Sequence, residues 1–414
     1  MNLRVSLPNG LISGKSIAIS GSKSETNRLL LLQALYPSYP SIKIKNASES
    51  DDSAVMRAAL LSDSDFIDVH HAGTAMRFFT AYFAQREGRE VTISGSQRMQ
   101  ERPIGVLVDA LRALGAEIEY SGLEGYPPLK IKGKRLEGGK ISINANVSSQ
   151  YITALLLIAP KLKNGLELQL DGEITSRPYL EMTVNLLREL GFTVNFSGKK
   201  IIISPKSEIL NHQSEIIIES DWSSASYYYS IIALSDIGTS VKLASFRANS
   251  LQGDSAVATI YEAFGVETTF TGNTVILTKA SNPKPDTLHL DLNNTPDIAQ
   301  TIAITCFGMG IGCHLSGLHT LKIKETDRLS ALKTELEKCG AEVSITGNSL
   351  ILSTSAEISE NIAIETYNDH RMAMAFAPLA VKAPIIIKDA DVVSKSYPNF
   401  WEDLQVLGFV TETT

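Results

Sequence analysis

At 414 residues the chain exceeds what a single hydrophobic core usually organises, so two or three domains are expected. Its 43% hydrophobic and 20% charged residues are those of an ordinary globular protein. A net charge of −7 and a pI near 5.6 argue against a nucleic-acid or membrane-surface binder, so cations that hold an anionic ligand must be gathered locally. Cys306, Cys313 and Cys339 show neither CxxC spacing nor an even framework and are expected to be buried free thiols. No apolar run reaches the roughly 18 residues of a membrane span. The start, MNLRVSLPNG, has neither an apolar signal core nor the composition of a transit peptide, which leaves a cytoplasmic location as the expectation.

Residues 3–7 and 15–20 alternate as strands do, around a Pro8-Asn9-Gly10 turn. The stretch from Gly10 to Ser16 imitates a phosphate loop but is one residue short, and a strand pattern follows where that loop needs a helix. Gly21-Ser22-Lys23-Ser24-Glu25-Thr26-Asn27-Arg28 then leads into the apolar run Leu29 to Leu32. Free N–H groups at a helix start, hydroxyl donors and two cations make a receptor for anions.

Two patterns recur beyond it. Amphipathic helices end at Gly115, Gly191, Gly265 and Gly340, about 75 residues apart, each followed by a strand, a small turn and a second strand; Gly408 ends a worn last copy. Glycine there fits a left-handed C-cap. Interleaved with these are helices apolar nearly all round, 73–84, 148–159, 223–234, 295–306 and 368–380, each opened by polar residues. With the helix after Ser22 they make six, a unit too long for a solenoid. Six units predict an α/β protein of two similar domains with internal pseudo-symmetry. The polar stretch Ser207 to Gln213 is the expected crossing between them, and a cleft between domains is the expected ligand site.

Chemistry-bearing residues gather at the mouths of these helices: Lys23, Ser24 and Arg28; Gly73 to Arg77; Arg98 to Pro103; Ser148, Ser149 and Gln150; Ser176 to Tyr179; Asp297; Lys324 to Arg328; Asp369 to Arg371; and Lys395 to Pro398. Singly, most read as N-caps or solvated helix starts. Together they do not, because cations such as Lys23, Arg28, Arg77 and Arg371 at helix starts oppose the helix dipole. A helix start contributes only about 0.3–1 kcal/mol, so a micromolar ligand at about −8 kcal/mol needs charge-assisted bonds to several cations. Asp297 and Glu325 stand out as acids among cations and are candidates for proton transfer. Lys324 and Arg328 act to lower the Glu325 pKa, and burial acts to raise it. His70-His71 and Cys313-His314 lack the further ligands a metal site needs.

The ordered set GSKSxxNR, AGTAMR, RMxERPIG, SSQ, KETDR, NDHRMAM and KSYPxF resembles the motifs of the 5-enolpyruvylshikimate-3-phosphate synthase family, from about residue 20 to 400. The resemblance implies two similar domains, each of three βαβαββ repeats with pseudo-threefold symmetry (an inside-out α/β barrel). It places residues 1–18 and 216–414 in one domain and 19–215 in an inserted one, with the active site in the cleft between them. It implies transfer of the enolpyruvyl group of phosphoenolpyruvate to the 5-hydroxyl of shikimate 3-phosphate with release of phosphate, the sixth step of the shikimate pathway to chorismate and the aromatic amino acids.

By the same resemblance Ser24 and Arg28 hold the shikimate carboxylate. Ser148, Ser149, Ser176 and Lys324 hold its phosphate, and Gln150, Tyr179 and Thr320 lie near the ring. Lys23, Gly73, Arg98, Gln150, Arg328, Arg371 and Lys395 bind phosphoenolpyruvate. Asp297 is the implied base and Glu325 the implied acid, helped by Lys23. No metal or organic cofactor, no nucleic acid and no membrane are implied, and a monomer is expected.

Three positions depart from the family pattern: His71 stands in place of an asparagine, Phe78 of a proline and Thr320 of an asparagine. The first two bear on phosphoenolpyruvate and glyphosate affinity, and the third calls for a bridging water. The sister transferase acting on UDP-N-acetylglucosamine usually carries a reactive cysteine, and residues 85–105 have none. A non-catalytic anion-binding relative is expected to have lost Asp297, Glu325 or Lys23, and all three are present.

Overall fold

The computed structural model describes residues 1–37, 42–146, 148–206, 215–283, 285–354 and 358–414, so the whole stretch Ser207 to Gln213 lies outside the described residues. The chain divides into two compact units: Met1–Ser22 with Glu219–Thr414, here the terminal unit, and Lys23–Ile218, the inserted unit. Within the terminal unit, Gly21 bridges Ser220 and the Ser22 N–H donates to Glu219 O at 2.8 Å, which keeps both boundary segments on the same ladder.

Among the described residues, five four-stranded sheets share one plan. In the inserted unit, Phe66–Asp68 pairs in parallel with Glu90–Ser94, which pairs antiparallel with Leu129–Lys132 and through it with Glu117–Tyr120. Gly139–Asn144, Leu166–Asp171, Lys200–Ile203 and Val194–Ser197 repeat that order. A third copy shows, among the described residues, the parallel pair Glu215–Ile217 with Lys43–Lys45. In the terminal unit the plan recurs in Thr287–Asp291, Gly312–Ser316, Leu350–Leu352 and Val343–Ile345, and in Lys15–Ile17, Ser240–Ala244, Thr274–Lys279 and Val266–Thr271. In the last sheet, Ile362–Ile364, Ile385–Ile387 and Val410–Thr413 take their fourth strand, Leu3–Ser6, from the start of the chain. A parallel pair needs a crossover; for four of the six described pairs one of the chain's apolar helices supplies it, while Lys15–Ile17 with Ser240–Ala244 and Lys43–Lys45 with Glu215–Ile217 are joined by far longer connections.

Those helices are α1 (Lys23–Leu35), α2 (Gly73–Ala84), α3 (Ser149–Ile158), α4 (Trp222–Leu234), α5 (Ala299–Met309) and α6 (His370–Phe376). In α4 every residue but Ser223 is buried, and α2 buries all but Thr74, the burial expected of helices apolar all round. Two are shorter than their apolar patterns: 3-10 turns take over at Pro296–Ile298 before α5 and at Ala377–Val381 after α6. The amphipathic series ends as expected, Gly115, Gly191, Gly265, Gly340 and Gly408 all lying at positive φ. At Gly265 a Cβ would fall 2.1 Å from Ser281 O, so glycine is required twice over. The helix before it is broken, with 3-10 turns on either side of Val257–Ile260. All three cysteines are buried and free.

Candidate active site

Each unit carries its own cluster of the predicted residues. In the inserted unit, Lys23 Nζ at the start of α1 lies 3.1 Å from Asp52 Oδ2, and His71 Nε2 stands 4.0 Å from the other oxygen of that carboxylate. Asp52 sits in the first turn of a helix capped by Ser50, where a negative charge is favoured. Five residues after Lys23, Arg28 is 3% exposed. Its Nε donates to Thr183 Oγ1 at 2.8 Å, its Nη1 to Ser24 O at 2.7 Å, and its Nη2 to Tyr179 O and Thr153 Oγ1 at 3.3 and 3.4 Å. Phe78 packs under it, 5.8 Å from ring centroid to Cζ. All four bonds go to neutral oxygens, so no contacting carboxylate cancels the charge. Burial pushes the guanidinium down to about 10, against the pull of Tyr179 and Glu25.

The start of α3 meets the start of α2. Ser148 caps α3 by accepting the Gln150 N–H, Ser149 begins the helix, and Gln150 Nε2 donates to Thr74 Oγ1 at 3.1 Å beside Gly73. Arg102 packs over Gly73, where a Cβ would lie 2.7 Å from its Nη1. Ser176 precedes the helix Arg177–Glu189 in the left-handed region, φ 54°. Arg98 is half-exposed and pairs with Glu101 at 3.2 Å. Arg77 corrects the expectation that only an anion gives a helix-start cation a place: it is buried and donates to the carbonyls of Gly73 and Pro103 at 3.2 and 3.0 Å.

In the terminal unit one guanidinium organises three carboxylates. Arg328, the first residue of the helix Arg328–Lys338 capped by Asp327, has a side chain 2% exposed. Its Nε donates to Asp369 Oδ2 at 2.6 Å, its Nη2 to Glu325 Oε2 at 2.7 Å and its Nη1 to Asp297 Oδ1 at 3.0 Å. Asp369 is wholly buried and also caps α6 by accepting the Arg371 N–H at 2.9 Å. Arg371 returns to Asp297, with Nη2 3.0 Å from Oδ2 and Nη1 3.0 Å from the main-chain oxygen. Lys324 Nζ completes the ring at 3.5 Å.

Burial, the largest influence on Asp297, raises its pKa. Arg371, Lys324 and Arg328 together outweigh it and hold the carboxyl well below the usual range. Lys324 is itself pushed down by burial, with Arg328 adding and Asp297 opposing. Lys395 Nζ donates to Asn368 O at 2.6 Å, next to Asp369. Thr320 is buried in the turn His319–Ile323. Among the described residues no group of three or more His, Cys, Asp or Glu is placed to hold a metal ion, and no helix is long and apolar enough to cross a membrane.

The family model for EPSP synthase (3-phosphoshikimate 1-carboxyvinyltransferase) matches residues 58–404. The chain is 46% identical over 399 residues to the 3-phosphoshikimate 1-carboxyvinyltransferase of Bacteroides fragilis (strain YCH46), covering 95% of each chain. The chain belongs to the EPSP synthase family. It is also 36% identical over 427 residues to the enzyme so named in Photobacterium damsela subsp. piscicida, covering 97% of this chain and 98% of that one. EPSP synthase from Acinetobacter baumannii shares the fold at a TM-score of 0.79 and 19% identity over 100% of both chains. An enolpyruvyl transferase from Streptomyces tendae shares it at 0.75 and 14%, over 100% of this chain and 99% of that one.

Within this EPSP synthase family member, several partners escaped the sequence reading. Asp52 binds Lys23, and Thr153 and Thr183 hold Arg28. The threonines interrupt otherwise apolar helix faces, which was a usable signal; nothing local marks Asp52 out from neighbouring Asp51.

Proposed function

We propose that the chain transfers the enolpyruvyl group of phosphoenolpyruvate to the 5-hydroxyl of shikimate 3-phosphate and releases phosphate, as its family membership implies. The observation that carries the mechanism is the pairing of Asp297 and Glu325 through Arg328, with Arg371 and Lys324 beside them. Asp297 takes the proton of the 5-hydroxyl as that oxygen bonds to C2 of phosphoenolpyruvate. Glu325 gives a proton to the methylene carbon, which becomes a methyl group in a tetrahedral intermediate. Return of a methyl proton to the Glu325 carboxylate then expels phosphate and restores the double bond.

A carboxylate held well below its usual pKa is a weak base, and this one is held there by cations. Anionic groups of the substrates that engage Arg371 and Lys324 compete for those cations and let Asp297 accept a proton. Arg328, paired with three carboxylates, is the cation that links the two acids.

In this reading Ser24 and Arg28 take the shikimate carboxylate, Ser148, Ser149, Ser176 and Lys324 its phosphate, and Gln150, Tyr179 and Thr320 the ring. Lys23, Gly73, Arg98, Gln150, Arg328, Arg371 and Lys395 take phosphoenolpyruvate. The reaction needs groups of both units, so the two clusters are proposed to serve one pair of substrates, in a monomer acting in the cytoplasm; light scattering in solution checks the monomer. The deciding experiment measures phosphate released from phosphoenolpyruvate with and without shikimate 3-phosphate. Release only with both, abolished in Lys23→Ala, is expected, and no release with both substrates present overturns the reading.

A further inference from the structure

Beside the Asp297 cluster lies a buried carboxylate to which the proposed reaction assigns no part. Asp254, in the 3-10 turn Gly253–Ala256, is 2% exposed. Its Oδ2 accepts a hydrogen bond from the Ser223 hydroxyl. Ser223 is the half-exposed residue in the first turn of α4, and its Oγ lies 3.4 Å from Arg371 Nη2. That same nitrogen is 3.0 Å from Asp297 Oδ2. A chain of polar contacts thus runs from Asp254 through Ser223 and Arg371 to Asp297, across four separate elements of the terminal unit.

We infer that Asp254 is a positioning residue for Asp297: by fixing the Ser223 hydroxyl it holds the Arg371 guanidinium in the orientation that grips Asp297. The inference rests on the function proposed above. Burying a carboxylate is costly unless it is paired or hydrogen-bonded, so a merely space-filling role favours an apolar side chain at this position. An acceptor at Asp254 draws the Ser223 proton away from Arg371, which leaves the oxygen's lone pairs facing the guanidinium. Nη2 is then held between two oxygens while Nη1 bonds to the Asp297 main chain, and the fork cannot rotate without breaking both ends.

The charged groups facing Asp254 are Asp297, Arg371 and Asp221, the cap of α4. Burial and then Asp297 push its carboxyl up to about 6, against the pull of Arg371 and Ser223. The two acids on either side of Arg371 are therefore driven apart, Asp297 ionised throughout and Asp254 the one that takes up a proton on mild acidification.

The test compares wild type, D254N, D254L, S223A and the double variant S223A/D254L by phosphate release from pH 5 to 9, with melting temperature measured alongside. D254N keeps an oxygen able to accept from Ser223 and is expected within about threefold of wild type at pH 7.5, with the limb of the pH profile near 6 displaced. D254L and S223A are expected to lose about tenfold in kcat/KM, and the double variant no more than either alone, because they break one chain of contacts. D254L that lowers only the melting temperature, or losses that multiply in the double variant, overturn the inference. Should D254L not fold, S223A and D254N decide it by the same measures. Crystal structures of D254N and S223A answer independently of turnover, so an inactive wild type would sink the proposed reaction without blocking this test. Arg371 displaced from Asp297 in S223A and retained in D254N supports the role; Arg371 unmoved in S223A refutes it.

Discussion

Replacing Arg328 with methionine isolates what a single guanidinium does for three acids. Methionine fills much of the space but leaves Asp369, Glu325 and Asp297 without the donors now at 2.6, 2.7 and 3.0 Å. Asp369 has no exposed surface, so stripping its partner should cost the roughly 3–5 kcal/mol of a broken buried pair. Glu325 and Asp297 are about a fifth exposed, and Asp297 keeps Arg371 and Lys324, so each should add at most about 1 kcal/mol. A loss of about 3–7 kcal/mol takes a large part of the 5–15 typical of a folded domain. Urea unfolding followed by tryptophan fluorescence reads the right region, because Trp222 and Trp401 both belong to the terminal unit. The loss should shrink as pH falls from 7.5 to 5, since carboxylates without a cation can take up protons instead. A loss under about 1 kcal/mol, or one indifferent to pH, would show that the three acids do not depend on Arg328.

Three further outcomes are expected. Glu325→Gln can still accept from Arg328, so it should fold like wild type with KM little changed while kcat falls at least about 100-fold; a kcat within tenfold of wild type removes Glu325 as the acid. Phe78→Ala empties a wholly buried site and uncovers Arg28, so a loss of about 3–5 kcal/mol and a raised KM for shikimate 3-phosphate are expected, both read from melting and steady-state kinetics. Lys279 is wholly buried and donates at 2.7 Å to the carbonyls of Ala233 and Phe264, and burial, with Lys382 adding, pushes its ammonium down to about 8. The folded chain sheds that proton before the unfolded one does, near 10.5, so unfolding free energy should rise by roughly 1–3 kcal/mol from pH 8 to 10.5. Lys279→Met should abolish that rise, and an unchanged slope would refute the account.

The fold was legible because two periodic signals run through the chain: glycines that close amphipathic helices and apolar stretches too uniform for a surface helix. Both depend on local chemistry, the positive φ at Gly340 and the burial of Tyr227 to Tyr229 being examples. The site was legible where a charge sits at a helix start, as at Lys23, Arg328 and Arg371. It was not legible where a neutral or distant group completes the arrangement. Thr183 holds Arg28 from 155 positions away, and Asp254 reaches Ser223 from 31. Such pairings are set by packing between elements, which no sequence spacing encodes. Arg77 shows the converse: its position suggested a ligand, and two backbone carbonyls account for it.

The division of the chain into two units has a consequence for the order in which they form. Emerging from the ribosome, the chain offers every residue of the inserted unit once position 218 is out, and that unit can settle while synthesis continues. The strand Leu3–Ser6 has no such opportunity, because its partners are Ile385–Ile387 and Val410–Thr413. This strand, early in chain order, thus pairs only with strands made some 380 residues later or more. Until those partners emerge its ladder edge stays open, a natural point of engagement for the cell's holding chaperones.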